Sequence, residues 1–190
     1  MVNPLYIIAS FLIAAFASAL TDKLSKKLTL GMVLITIAGV ITATAYRIWL
    51  IQSNPALQSE YFTAGFSTPL SIGLSFGFNE AVMLLLVNVI GLLGGISFSR
   101  RFLADGAQPM ALYLLLLLGA NGLILTRDLF NSFVFIEILS ISGFALIAIR
   151  QSKAALSSGL KYMMAGGISS ALLLLGIIFV YRYTGTLNID

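Results

Sequence analysis

Two ionisable residues lie deep inside long apolar segments of this chain. Glu137 stands about 12 Å from the nearer end of one segment, and Lys161 stands about 10 Å inside the next, at a rise of 1.5 Å per residue. A charged side chain at such a depth costs at least ~2.5–3.5 kcal/mol on insertion scales, so it usually faces a polar cavity or a partner. Such residues typically mark an ion pathway, and an acid and an amine in these positions suggest the uptake and release of protons.

Each of the two residues has an alternative interpretation. Glu137 has a structural role if it only hydrogen-bonds a neighbouring helix, and the long stem of Lys161 lets its ammonium group reach the lipid headgroups. The helical face around Lys161 nevertheless carries small residues, which favours a buried lysine. That face comprises Ala154, Ser157, Ser158, Ala165, Ile168 and Ser169. Because the two segments run antiparallel, we expect a stagger of roughly two turns, and therefore successive stations rather than a tight salt bridge.

Other polar residues are weaker candidates for the same path. Asp128 is positioned to cap the helix that carries Glu137 and to pair with Arg127. Asn88 and Asn121 are expected to join neighbouring helices by hydrogen bonds. The secondary candidates among the serines are Ser140, Ser158 and Ser169.

The composition of the chain requires a lipid solvent. Of its 190 residues, 59% are hydrophobic and 9% are charged, and the mean hydropathy is +1.01. An average soluble domain has roughly 25% charged residues. The sequence has no cysteine and no histidine, so we expect no haem, zinc or iron–sulfur ligation, no cofactor and no catalytic centre. The net charge of +4 needs no nucleic-acid partner and is typical of basic cytoplasmic loops.

Six apolar stretches reach the length of about 20 residues that a membrane-spanning helix requires. They lie at residues 4–20, 29–50, 80–98, 109–126, 129–149 and 154–181. Basic residues concentrate in the connections after the first, third and fifth stretches, which share one side of the membrane. By the positive-inside rule this side is cytoplasmic, so both termini lie on the outer side. We predict an all-α integral membrane protein, a six-transmembrane-helix bundle that forms a single domain over residues 1–190.

The long connection between the second and third helices, residues 51–79, has a pattern of its own. From residue 70 to residue 78, apolar side chains alternate with serine or glycine. This period of two predicts an extended strand or hairpin on the outer surface, with one face against the helices. The alternative is an irregular loop. Nearby, Arg47 is expected to anchor the chain at the membrane interface, and Glu80 is expected to favour the positive end of a helix dipole.

Several motifs resemble those of a known family. The motifs are GANGLILTRDLF at 119–130, FIEILS at 135–140 and LKY at 160–162. They resemble the antiporter-like family, which comprises the large ion-translocating subunits of respiratory complex I, of membrane-bound hydrogenases and of Mrp-type sodium/proton antiporters. The resemblance extends over about residues 65–187.

The resemblance implies roles for three residues. Glu137 matches the acid of the family's fifth helix, which influences a neighbouring lysine, and Lys161 matches a lysine found on the sixth helix of some members. Asp128 matches an acid that precedes the fifth helix. Family members normally have about fourteen helices with two inverted repeats of five, whereas six helices are predicted here. The lysine-bearing seventh helix and the second repeat have no counterpart in this sequence.

These features predict a subunit of a multisubunit membrane complex that translocates protons or sodium ions. Its partners would be other membrane subunits, one of which would supply the missing antiporter-like helices, and any redox chemistry would reside in other chains. The alternative is a structural or assembly subunit without an ion path of its own, in which Glu137 would have no polar neighbour. An autonomous six-helix transporter is disfavoured because no discontinuous helices are visible. We expect a multi-pass protein of a prokaryotic plasma membrane rather than of an energy-transducing organelle.

Overall fold

The structure, a computed structural model, describes residues 3–54, 60–62, 71–149 and 152–189. Its elements are α1 (Pro4–Thr21), α2 (Lys26–Ser53), β1 (Glu60–Phe62), β2 (Gly73–Ser75), α3 (Phe78–Ser97), α4 (Ser99–Asp105), α5 (Ala107–Leu125), α6 (Leu129–Ala148) and α7 (Lys153–Thr184). Within these residues, six helices are long and apolar enough to cross a membrane. They begin and end within three residues of the predicted bounds, and the prediction of a six-helix all-α membrane protein is confirmed.

Local sequence explains where the helices begin and end. The side chain of Asn3 accepts a hydrogen bond from Leu5 N at 3.0 Å and Pro4 opens α1, which is a favourable start for a helix. Ser152 caps α7 in the same way, and α7 ends at Thr184, just before Gly185, whose φ of 72° favours glycine. The short helix α4 was not predicted, because seven residues with two arginines and one aspartate show no apolar stretch.

The core forms around α5, which packs against α1, α3 and α6. Asn88 of α3 and Asn121 of α5 are fully buried here, and Asn88 Nδ2 donates to Asn121 Oδ1 at 2.6 Å. Each amide also donates to the carbonyl four residues earlier in its own helix, so the donors of both side chains are engaged. The prediction that these two asparagines join neighbouring helices is confirmed.

Extended segments meet at one end of the bundle. β1 pairs with β2 in antiparallel register, Leu74 of β2 forms a bridge with Thr126, and Asp128 forms a bridge with Asn188 after α7. β2 is buried on both faces, rather than on one face as expected, because it lies between these neighbours and the helices. Residues 63–70 lie outside the described residues, so the predicted hairpin remains a prediction. The orientation of the termini also remains a prediction. Arg150, one of the basic residues that orient the chain, is also outside the described residues.

Arg47 of α2 binds the segment that follows β2. Its side chain is fully buried, and its Nε and Nη2 donate to the carbonyl of Phe76 at 3.1 and 2.9 Å. Its guanidinium carbon lies 5.3 Å from the centre of the Phe76 ring and 5.8 Å from that of Tyr61. Arg47 therefore lies inside the protein, whereas the sequence suggested an interfacial anchor.

Candidate functional site: an acid between two membrane helices

Glu137 lies in the middle of α6. Eight residues separate it from the start of that helix at Leu129, which corresponds to about 12 Å. Its side chain is half-buried, and its Oε1 accepts a hydrogen bond from the hydroxyl of Ser170 in α7. The acid therefore has a polar neighbour on the adjacent helix, contrary to what the structural-subunit alternative predicts. The same contact is compatible with the alternative in which Glu137 only hydrogen-bonds a neighbouring helix.

The orientation of Glu137 follows from the packing of α6 on α5. Phe135 and Leu139 contact Gly119 of α5 so closely that a Cβ added at Gly119 would lie 2.8 Å from the backbone nitrogen of Leu139. Glu137 is two residues from each of them, and a helix turns about 200° over two residues. The carboxyl group therefore points away from α5 and towards α7.

Small residues let α7 approach α6. A Cβ added at Gly159 would lie 3.0 Å from the Cβ of Ala148, and one added at Gly166 would lie 2.5 Å from the Phe144 ring. Close approach through glycine is typical of membrane helix pairs. Ser170 follows Gly166 by one turn on the same face, which brings its hydroxyl to Glu137.

Lys161 lies on the opposite side of α7. Nine residues separate it from Ser170, which is about two and a half helical turns, or 13.5 Å along the axis. Its side chain is exposed in the described chain. The structure therefore separates Lys161 from Glu137 by both height and direction.

Measured from the end of α6 rather than from the start of its own helix, Lys161 lies at a smaller depth. Gly159 lies beside Ala148, the last residue of α6, although it is six residues inside α7. The first turns of α7 therefore extend beyond the end of α6. Relative to that end, Lys161 lies only about 3 Å inward, at 1.5 Å per residue. This position is compatible with the alternative in which the ammonium group reaches the headgroups.

The weaker candidates lie apart from Glu137. Asp128 caps α6, since its side chain accepts a hydrogen bond from Asn131 N at 2.7 Å. Its predicted partner Arg127 forms an ion pair with Glu80 instead. Ser140 is half-buried on α6, whereas Ser158 and Ser169 are exposed on α7. Ser169 donates to the carbonyl of Ala165 at 3.0 Å.

The residue that the sequence analysis missed is Ser170. The signal for it was the spacing of small residues from Gly159 through Gly166 to Ser170, which defines the face that packs on α6. The sequence analysis predicted that the functional face of α7 is the one around Lys161, which includes Ser169 but not Ser170. Among the described residues there is no group of three or more potential metal-ligating side chains.

Comparison with known proteins places this arrangement in a family. Residues 126–190, which contain α6 and α7, match the family described as "NADH:quinone oxidoreductase/Mrp antiporter, TM". The chain is 33% identical to a subunit of the Na(+)/H(+) antiporter of Bacillus subtilis over 96% of this chain and 38% of that protein. It is 31% identical to a subunit of the NADH-quinone oxidoreductase of Desulforudis audaxviator over 97% of this chain and 37% of that protein.

A solved structure agrees with these relatives. A chain of the membrane-bound sulfane sulfur reductase, an archaeal respiratory membrane complex, superimposes with a TM-score of 0.89 at 31% identity, over 97% of this chain and 38% of that chain. The chain therefore belongs to the antiporter-like family, as its motifs predict. It spans less than two fifths of the length of these relatives.

Proposed function

We propose that this chain contributes part of the ion path of a multisubunit membrane complex that translocates protons or sodium ions. The observation that carries the proposal is the carboxyl group of Glu137 at mid-depth in α6, hydrogen-bonded to the Ser170 hydroxyl of α7. The similarity to an Na(+)/H(+) antiporter subunit and to an NADH-quinone oxidoreductase subunit supports it.

The Glu137–Ser170 pair suits a group that changes its charge. A serine hydroxyl has one donor and two acceptor lone pairs, so it donates to an ionised carboxylate and accepts from a protonated one. The same contact therefore serves both states of the acid with a rotation of one O–H bond. An unsatisfied polar group in a membrane interior is costly. Because the Ser170 hydroxyl satisfies both the ionised and the protonated carboxyl group, the hydrogen bond lowers the barrier to proton exchange at Glu137.

Lys161 can contribute to the ion path only if another membrane segment covers its face of α7. Its face of the helix is exposed and carries Ser157, Ser158 and Ala165, with no part of the described chain against it. We expect a neighbouring membrane subunit with antiporter-like helices to lie on this face and to connect Lys161 with Glu137. The proposed location is the plasma membrane of a prokaryote, in keeping with the bacterial and archaeal relatives.

The experiment is ion transport by membrane vesicles that contain the assembled complex. Glu137→Gln keeps the size of the side chain but cannot take up or release a proton, so we expect transport to fall by at least about 100-fold, the lower end of the effect of losing a positioned acid–base group. The control is Glu60→Gln, the same substitution in β1 outside the membrane helices, which should transport normally. The amount of chain in the membranes, measured by immunoblot, must be equal in all samples.

A structural or assembly subunit is the second candidate. It is favoured by the position of Lys161, close to the level at which α6 ends and on an exposed face. If the chain is a structural or assembly subunit, Glu137→Gln lowers the amount of assembled complex but leaves the transport per complex unchanged. Normalising transport to the complex, quantified on native gels, therefore separates the two candidates.

A further inference from the structure

A cavity opens at the end of the helix bundle opposite to β1 and β2. It has a volume of about 410 Å³, within the range of about 300–1,000 Å³ that small-molecule sites occupy. Its walls come from the turn between α3 and α4, from α4, from the first three turns of α5 and from the last turn of α6. Three of these helices, α3, α5 and α6, are membrane-spanning and contribute an end, so the cavity lies where hydrocarbon gives way to headgroups.

The walls of the cavity are apolar. Phe98, Phe102 and Tyr113 form a continuous aromatic wall, with ring centres 6.4 Å and 5.5 Å apart, and Leu146 and Ile147 of α6 face it. The Tyr113 hydroxyl donates to the carbonyl of Gly91 at 2.6 Å, so this residue presents its ring to the cavity. A wall of this kind accommodates hydrocarbon.

Two opposite charges line the cavity as well. Arg101 and Asp105 are four residues apart on α4, so they lie on the same face of that helix. No ion pair joins them among the described residues, and the Arg101 guanidinium lies 5.9 Å from the centre of the Phe98 ring. Lys26 of α2 fixes this helix, since its Nζ donates to the carbonyl of Ala104 at 3.0 Å.

The geometry points to a binding site for an aminophospholipid, a lipid whose phosphate and primary ammonium are joined by a two-carbon linker. The phosphate would contact Arg101, whose planar guanidinium suits phosphate oxygens, and the ammonium would donate to the Asp105 carboxylate. An acyl chain would lie against the aromatic wall. An anionic headgroup without an amine would leave Asp105 facing a negative charge, and a trimethylammonium group has no N–H to donate.

The test is lipid retention measured by native mass spectrometry on the full chain purified in detergent. The protein is delipidated and offered an equimolar mixture of phosphatidylethanolamine, phosphatidylglycerol and phosphatidylcholine with identical acyl chains. We expect phosphatidylethanolamine to be retained about tenfold over either competitor, the scale of one charge-assisted hydrogen bond. Equal retention of the three lipids, or a preference for phosphatidylglycerol, overturns the proposal.

Matched variants locate the site. Arg101→Gln and Asp105→Asn should each reduce the retained phosphatidylethanolamine about tenfold. Arg100→Gln removes the same charge from the same helix but does not line the cavity, so it should retain the lipid as the unmodified chain does. These side chains are exposed, so the variants should fold normally. An equal effect of Arg100→Gln and Arg101→Gln overturns the site and indicates attraction by surface charge only.

Discussion

At the scale of single residues, position matters more than residue type. Glu137 and Lys161 both lie within apolar helices, yet only Glu137 contacts another polar side chain of the described chain, the Ser170 hydroxyl. Arg47 is the converse case, because a cation expected at the interface is fully buried against Phe76. For charged residues in a membrane protein, the neighbours across the helix interface therefore determine the role.

Substitution of Lys161 distinguishes a residue of the ion path from a headgroup anchor. If its charge belongs to the ion path, Lys161→Gln should lower transport by the assembled complex several-fold, whereas Lys161→Arg, which keeps the charge, should retain most of it. The matched control is Lys153→Gln at the start of α7, where the side chain is exposed and outside the apolar part of the helix. If Lys161→Gln and Lys153→Gln have the same effect, Lys161 is a headgroup anchor and has no part in the path.

At the scale of helices, close contacts at glycine orient the site. Gly119 of α5 brings the backbone of α6 near enough that Phe135 and Leu139 face α5, which turns Glu137 towards α7. Gly159 and Gly166 of α7 then bring Ser170 within reach of the acid. The contact between Glu137 and Ser170 thus depends on close approach at glycine in two helix interfaces, α5–α6 and α6–α7.

We expect Gly119→Ala to destabilise the chain by ~1–3 kcal/mol, because the added Cβ meets the backbone of α6 and the helices must separate. Gly143→Ala is the control on α6, where an added Cβ has no atom within 4 Å and should leave stability unchanged or slightly higher. Denaturant unfolding in mixed micelles measures both free energies. Equal free energies of unfolding for the two variants would show that the α5–α6 contact is not tight.

The sequence predicted the helices because apolarity over about 20 residues is a local property. It also predicted the Asn88–Asn121 contact, since buried amides in a membrane need partners. The position of Lys161 relative to α6 could not be predicted, because the sequence gives its depth only along its own helix, whereas α7 extends beyond the end of α6. The Ser170 partner could not be identified, since the rotation of α7 about its axis depends on which face packs on α6.

At the scale of the whole molecule, the two ends of the bundle differ. One end is closed by β1, β2, the connection before α6 and the segment after α7, with Arg47 and the Glu80–Arg127 ion pair holding it together. The other end contains the open cavity beside Arg101 and Asp105. Along one side, α7 leaves most of its surface uncovered, which is the surface that the proposed neighbouring subunit would contact.

Infrared difference spectroscopy of the assembled complex, with and without an imposed ion gradient, tests directly whether Glu137 changes its protonation during transport. We predict a carboxyl band that changes between the two conditions, that is absent in Glu137→Gln, and that shifts in Ser170→Ala because its hydrogen-bond donor is removed. A spectrum whose carboxyl bands are the same in the unmodified chain and in Glu137→Gln would contradict the claim, because Glu137 would then not change its protonation during transport.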